Sequence, residues 1–258
     1  MGGTMSGKTI FITGASAGFG AACACMFATG GNRLILTARR IDPLLKLQEE
    51  LSADAEILVI PLDVSDRGAI RGAVESLPER FRNVDVLLNN AGLALGLEPA
   101  HQADLDDWDT MVDTNIKGVM YCTRFILPGM VARNSGHIVN ISSTAGAWPY
   151  PGGNVYGGTK AFVTQFSRNL RCDLLGTRVR VSCIQPGMAE TDFSKVRFKG
   201  NDEQAATVYR DTEPLTAEDI AETVRWIVSQ PPHVNINTLE LMPVDQTWGP
   251  LAVHREPK

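Results

Sequence analysis

The chain of 258 residues has no apolar run near the roughly 20 residues of a membrane span. No membrane partner is therefore expected. Its first apolar run, Ile10-Phe11-Ile12, is too short for a signal-peptide core and reads as part of a strand. Histidine is scarce. His101, His137, His233 and His254 are scattered without ligand spacing, so no metal site is expected. The five cysteines, Cys23, Cys25, Cys122, Cys172 and Cys183, are odd in number and form no CxxC pair. That excludes a disulfide scaffold and a dithiol motif, and suits small buried hydrophobes in a reducing cytoplasm. Neither sign of charge dominates: 24 basic residues face 29 acidic ones, for a net −5 with no long run of either. Nucleic acid and anionic membrane are poor candidates as main partners. The first residues, Met1 to Ser6, formally fit an N-myristoylation pattern, but residues 1–7 read as a flexible leader with Met5 a second plausible start.

What is present is alternation. Short apolar runs at Thr9 to Thr13, Arg33 to Thr37, Ile57 to Leu62, Val84 to Leu88, His137 to Ile141, Val179 to Ile184 and Thr238 to Leu241 read as strands. Helical stretches separate them: Ala21 to Thr29 (ended by Gly30-Gly31), Leu44 to Leu51, Arg67 to Leu77, Asp106 to Ala132 with Pro128 kinking or closing it, Asn154 to Leu175, and Ala217 to Ser229. Continuously apolar strands separated by helices describe a parallel sheet covered on both faces. The expected fold is a single-domain α/β, doubly wound parallel sheet of Rossmann type, over residues 8–245. Ligands of such sheets lie at the carboxyl ends of the strands.

Thr13-Gly14-Ala15-Ser16-Ala17-Gly18-Phe19-Gly20 occupies the first strand–helix junction. Glycines let the backbone approach a pyrophosphate, and the helix N-terminus offers free N–H groups. A tight turn needing small residues is the plain alternative. After the second strand, Thr37-Ala38-Arg39-Arg40 has no acid to hold a ribose diol. Two guanidiniums suit a 2′-phosphate, which favours NADP(H) over NAD(H), unless they are mere surface charge. Asp63, followed by Val64, would suit an adenine contact.

Tyr156 and Lys160 stand four apart, hence on one helical face. A cation beside a phenol favours the phenolate, so the spacing predicts a lowered Tyr156 pKa and a proton-transfer group. Ser143 lies upstream in Ile141-Ser142-Ser143-Thr144-Ala145-Gly146, with Ser142 its competitor, read as facing the core.

Together, TGxxxGxG at Thr13 to Gly20, Asn89-Asn90-Ala91-Gly92, Asn115 in Asp113 to Gly118, Ser143, Tyr156, Lys160 and Pro186-Gly187 resemble the short-chain dehydrogenase/reductase family. The match runs in order from about Lys8 to the last strand. The resemblance implies that Tyr156 exchanges the substrate proton, Lys160 tunes it and holds the nicotinamide ribose, and Ser143 positions the substrate oxygen. It implies that Asn115 holds a helix irregularity and a proton-relaying water. It further implies that Gly14, Ser16, Gly18, Phe19, Gly20, Asn90, Ala91 and Gly92 line the coenzyme channel, with Pro186, Gly187, Met188 and Thr191 flanking the nicotinamide.

Narrower stretches, Ala91 to Gly96, Tyr150 to Gly157 and His233 to Glu240, resemble NADP-dependent 3-hydroxy acid (serine, L-allo-threonine) dehydrogenases and malonic semialdehyde reductases, with sulfoacetaldehyde reductases as near relatives. A small anionic aldehyde or hydroxy acid is the implied substrate; a non-catalytic NADPH sensor is the alternative from another class. The lid position of that family holds Phe193-Ser194-Lys195-Val196-Arg197-Phe198-Lys199. Arg197 is the preferred anion ligand, against a merely solvated basic loop. Trp148, Tyr150 and Asn154 are expected to wall the pocket, and Glu190 to meet a substrate amine. The tail, residues 246–258, carries Trp248 and Leu251 and is expected at the interface of a homotetramer, with His254 or Arg255 near a neighbour's pocket.

Overall fold

The computed structural model describes residues 6–248, without the side chains of residues 204 and 205. Among them, β1 (Thr9–Thr13), β2 (Arg33–Ala38), β3 (Glu56–Pro61), β4 (Val86–Asn89), β5 (Gly136–Ile141), β6 (Val179–Pro186) and β7 (Thr238–Leu241) form one sheet in the order β3-β2-β1-β4-β5-β6-β7. Every neighbouring pair is parallel. The helices are α1 (Gly18–Ala28), α2 (Ile41–Leu51), α3 (Arg67–Glu75), α4 (Glu79–Arg82), α5 (Leu105–Val112), α6 (Gly118–Ala132), α7 (Asn154–Asp173), α8 (Phe193–Arg197), α9 (Asp202–Thr207) and α10 (Ala217–Val228).

Alternating strand side chains sort into two cores. Ile10, Ile12, Leu34, Leu36 and Leu88 face one side, against Phe27 of α1, Leu44 of α2 and Ile220 and Val224 of α10. Phe11, Ile35, Leu87, Ile138 and Val181 face the other, against Ile70 of α3, Ile126 and Met130 of α6 and Leu170 of α7. Truncating one such fully buried side chain typically costs about 2–5 kcal/mol, so the strand ends make a stiff base for whatever they carry. This is the expected Rossmann-type arrangement, with helices on both faces.

Three elements differ from the sequence reading. The stretch from Asp106 to Ala132 is two helices joined by a π turn at Asp113–Lys117. Pro128 does not close α6, which continues to Ala132; Cys122, Ile126 and Met130 are packed into the second core on both sides of it, and that burial outweighs the lost N–H bond. The basic segment after β6 is not a plain loop but holds the short helices α8 and α9. Of the cysteines, Cys23, Cys122 and Cys183 are buried, whereas Cys25 and Cys172 are exposed because α1 and α7 each turn one face to solvent. The leader expected over 1–7 is already engaged at Gly7, whose carbonyl accepts from Arg33 Nη2 at 2.9 Å; residues 1–5 lie outside the described residues.

Side-chain caps open α3 (Asp66), α5 (Asp104) and α10 (Thr216, in a capping box with Asp219). α1 and α7 have none. These two uncapped helices start at the carboxyl edge of the sheet, beside the cleft. No helix among the described residues is long and apolar enough to cross a membrane.

Candidate active site

A cleft of about 1260 Å³ runs along the carboxyl ends of the strands. That exceeds the roughly 300–1,000 Å³ of pockets for drug-sized ligands and suits an extended dinucleotide with a substrate beside it. Its floor is the junction of β1 and β4, where the strand order reverses. Thr13 Oγ1 accepts the N–H groups of Asn90 and Ala91, both at 3.0 Å, and Asn90 Nδ2 donates to the carbonyls of Thr13 (2.9 Å) and Gly14 (3.1 Å). The glycine turn is thereby pinned to β4. Gly14 has φ +66°, and a Cβ on it would stand 2.9 Å from Ala91 Cα; on Gly20 it would stand 2.3 Å from the Gly14 carbonyl. Only glycine fits either place.

Gly14, Ser16, Gly18 and Phe19 line the cleft above the uncapped first turn of α1, while Gly20 is buried behind them. Arg39, Arg40, Asp63 and Val64 line its far end, with both arginines exposed and, among the described residues, in no ion pair. Asp63 Oδ1 accepts from Ser65 N and Oγ. Ala91, Gly92, Pro186, Gly187, Met188 and Thr191 line the middle. A pyrophosphate cradle, a cationic end without an acid, and a cleft of this length fit an NADP-type dinucleotide.

The polar cluster sits where α7 meets β5. The buried stripe of α7 is mostly polar, with Tyr156, Thr159, Lys160, Thr164 and Ser167 beside the apolar Val163 and Leu170. Polar groups on a buried face need partners, and these have them. Lys160 Nζ donates to the Ile141 carbonyl at 3.0 Å and lies 5.8 Å from the centroid of the Tyr156 ring. Ser142 Oγ donates to the Lys160 carbonyl at 2.7 Å and lies 2.9 Å from Thr164 Oγ1, so its hydroxyl is committed to α7. Ser143 stays on the cleft side, accepting from Ala145 N at 3.1 Å and donating to the Pro186 carbonyl at 3.4 Å.

Asn115 is carried by the π turn, and its amide is fully used. It accepts from Leu93 N (2.9 Å) and donates to the Leu93 carbonyl (2.8 Å) and to Thr159 Oγ1 (3.0 Å). Thr159 Oγ1 in turn donates to the Tyr156 carbonyl at 2.8 Å. Asn115 thus ties the cleft wall to α7 from beneath rather than facing the cleft.

The electrostatics correct one expectation. Burial pushes the Tyr156 phenol up to about 12, Ser143 within hydrogen-bonding reach pulls it down, Tyr150 raises it and Arg197 lowers it. Lys160 is not what governs it, because burial brings Lys160 itself down to about 8 and its ammonium serves the Ile141 carbonyl. Loss of hydration is the largest of these effects and disfavours the phenolate.

Above the cluster lies the α8–α9 segment. Phe193 packs on Tyr156 with ring centroids 5.7 Å apart. Arg197 Nη2 donates to Tyr150 Oη at 2.8 Å and Nε to the Gly96 carbonyl at 3.3 Å, with Cζ 5.6 Å from the Tyr156 ring centroid. Its two cationic neighbours are neutralised: Lys195 by Asp192 at 3.1 Å and Lys199 by Asp107 at 2.8 Å. Arg197 alone of the three has neutral partners and faces the Tyr156 side of the cleft.

Some expected residues are elsewhere. Asn154 does not line the cleft. As the first residue of α7 it points outward, where Nδ2 donates to the Glu98 carbonyl at 3.1 Å. Glu190 is exposed outside the cleft, because its backbone pairs with Leu215 and turns the side chain away. Trp148 and Tyr150 do line it, but Tyr150 spends its hydroxyl on Arg197. The tail was expected at a subunit interface; its described part, Gln246 to Trp248, packs on the chain's own cleft, and residues 249–258, His254 and Arg255 included, lie outside the described residues. Phe198 of the lid stretch also lines the cleft, and so do Tyr209, Met242, Gln246 and Thr247, which carry no signal in the sequence.

A glycine-cradled cleft at the switch point of a parallel sheet, with a buried Tyr–Lys–Ser cluster beside it, defines a dinucleotide-dependent oxidoreductase site. The chain belongs to the short chain dehydrogenase family, whose model matches residues 8–202. It is 57% identical over 247 residues to an NADP-dependent 3-hydroxy acid dehydrogenase of Salmonella typhi, covering 95% of this chain and 99% of that one. It is 51% identical over 248 residues to sulfoacetaldehyde reductase 2 of Chromohalobacter salexigens, covering 96% and 98%. Among solved structures, the closed form of a serine dehydrogenase complexed with NADP+ superposes with a TM-score of 0.93 at 55% identity, covering 96% of this chain and 99% of that one.

Proposed function

We propose that the chain is an NADP-dependent dehydrogenase/reductase of short 3-hydroxy acids, of the serine, allo-threonine and 3-hydroxypropionate type, interconverting the alcohol and its carbonyl form. The observation that carries the substrate class is Arg197, a cation with neutral partners whose guanidinium lies 5.6 Å from the Tyr156 ring. A carboxylate there gains a bidentate partner, with the reacting carbon held toward the phenol. The name of the Salmonella relative agrees.

NADP(H), when bound, supplies or accepts the hydride. Gly14, Ser16, Gly18 and Phe19 hold its pyrophosphate end, Arg39 and Arg40 its 2′-phosphate, Asp63 and Val64 its adenine, and Asn90 to Gly92, Pro186 to Met188 and Thr191 its nicotinamide side. Tyr156 gives its proton to the substrate oxygen in reduction and takes it back in oxidation, while Ser143 donates a hydrogen bond to that oxygen. Lys160 supplies positive charge as the phenol loses its proton. Asn115 is a positioning residue, acting through Thr159 and Leu93. With the phenol near 12 and Lys160 near 8, the resting site at neutral pH has both protons in place, which suits reduction.

The cationic end makes its own prediction. Arg39→Ala should raise KM for NADPH about tenfold, the worth of one charged hydrogen bond, and leave KM for NADH nearly unchanged. Steady-state kinetics with both coenzymes reads this, and an equal loss for both removes the 2′-phosphate assignment.

A second reading, a sulfoacetaldehyde reductase forming isethionate, is favoured by the 51% identical relative and by the same guanidinium, which serves a sulfonate equally. Comparing kcat/KM for sulfoacetaldehyde and malonic semialdehyde separates the two. The catalytic unit is taken as residues 8–245, working as a homotetramer in the cytoplasm. Exposed Met120, Val131 and Trp226 and the free cysteines support that placement, and sedimentation measures the assembly.

A further inference from the structure

The α8–α9 segment leaves and rejoins the body of the protein at one place. Met188, at its entry, accepts from Leu215 N at 3.0 Å, and Glu190 N donates to the Leu215 carbonyl at 2.8 Å. Ala189 and Leu215 form a parallel bridge there. Just past β7 the chain turns back, with Gln246 N donating to the Pro243 carbonyl at 3.0 Å. The last two residues of this turn reach opposite ends of the lid. Gln246 Oε1 accepts the Met188 N–H at the entry, at 2.6 Å. Asp245 Oδ2 accepts the Glu213 N–H at the exit, at 2.8 Å.

The local packing is built for this. A Cβ on Gly187 would stand 2.2 Å from Gln246 Oε1 and 2.7 Å from Met242 Cγ, so only glycine lets the amide reach Met188. Beyond the turn, Trp248 Nε1 donates to Glu240 Oε1 at 3.2 Å, while Glu240 Oε2 accepts from Trp148 Nε1 at 3.1 Å. The two indole rings lie 5.4 Å apart. The turn is therefore fastened on both sides, to β7 and to the loop before α7.

We infer that Asp245 and Gln246 are positioning residues for the substrate: a clasp at the base of the lid that holds Arg197 over Tyr156. The inference rests on the proposed role of Arg197 as the anion ligand. At its tip the lid is held by Arg197 on Gly96 and Tyr150 and by Lys199 on Asp107. At its base, Asp245 and Gln246 each supply a side-chain bond from the turn after β7. Loosening the base lowers the population of the closed lid, and apparent affinity falls by the same fraction. The effect falls mainly on the substrate, because the glycine cradle and Arg39 are not part of the lid and, of the coenzyme contacts, only Met188 and Thr191 lie at its entry.

The test uses the full chain, its Asp245→Ala, Gln246→Ala and double variants, and the conservative Asp245→Asn and Gln246→Glu, each of which keeps an acceptor. Limited trypsin digestion, mapped by mass, reads lid opening at Lys195, Arg197 and Lys199. The double variant should be cut there about tenfold faster, as local opening becomes easier. It should show a KM for the hydroxy acid raised by a similar factor, with a clearly smaller rise in KM for the coenzyme, which touches the lid only at Met188 and Thr191. The conservative variants should recover most of the protection. Unchanged cleavage overturns the clasp, as does an equal rise in both KM values with a lower Tm, which marks general destabilisation. Should the double variant fail to fold, Asp245→Ala decides alone, since its bond touches only the lid exit. Wild-type chain that ignores every hydroxy acid defeats the substrate reading, while the cleavage rates still decide the clasp.

Discussion

Replacing Tyr156 with phenylalanine is expected to lower kcat by about 10³-fold, in the range lost with a general acid, while NADPH binding stays largely intact. The ring remains and so does its packing on Phe193, Leu93 and Met111. What disappears is the group that gives a proton to the substrate oxygen. Stopped-flow or fluorescence titration measures NADPH binding, and initial rates measure turnover. Unchanged turnover removes Tyr156 from the chemistry, and a protein that binds NADPH but turns over nothing even as wild type is the sensor alternative.

The pH profile carries the sign of the same argument. The phenol, at about 12, keeps its proton across the working range, so it does not limit reduction. Lys160, at about 8, is cationic below that value and neutral above it. Raising the pH through this point removes the charge that supports the departing phenol proton, so kcat for reduction should be level below about 8 and fall above it. Lys160→Met should lower kcat and abolish the inflection. A wild-type rate that rises through pH 8 contradicts this assignment.

Arg197→Met is the second large effect. It should raise KM for a carboxylate substrate about 100-fold, the scale of a charge-assisted bidentate contact of about 2–3 kcal/mol, with little change for a neutral aldehyde of equal length. Lys195→Met and Lys199→Met should have small effects on KM, because those ammonium groups already serve Asp192 and Asp107. Equal sensitivity of charged and neutral substrates removes Arg197 as the anion reader.

The contrast among these three cations shows where sequence reasoning stops. Strand alternation, the glycine turn and the Tyr156–Lys160 spacing are local patterns, and each is where the sequence places it. The three cations look alike in sequence, and only the fold brings Asp107 of α5 to Lys199 and leaves Arg197 beside Tyr156. Asn154 and Glu190 are near the site in sequence but directed away by helix and bridge geometry that the residue types do not encode. The phenol shifts against the expectation from spacing for a similar reason: the i,i+4 relation is local, whereas burial under Phe193 and the commitment of Lys160 to Ile141 are tertiary. Gln246 carries no signal at all, because its meaning depends on a turn after the last strand meeting a turn after β6.

The central claim is a hydride-transfer site that reads a small anion and a 2′-phosphate together. Initial rates of NADP+ and NAD+ reduction with 3-hydroxypropionate, L-serine, isethionate and 1-propanol test it most directly. The expected result is turnover of the hydroxy acids with NADP+, at a kcat/KM about 100-fold above that for the neutral alcohol, and far weaker turnover with NAD+. Equal use of the neutral alcohol, or a preference for NAD+, would contradict it.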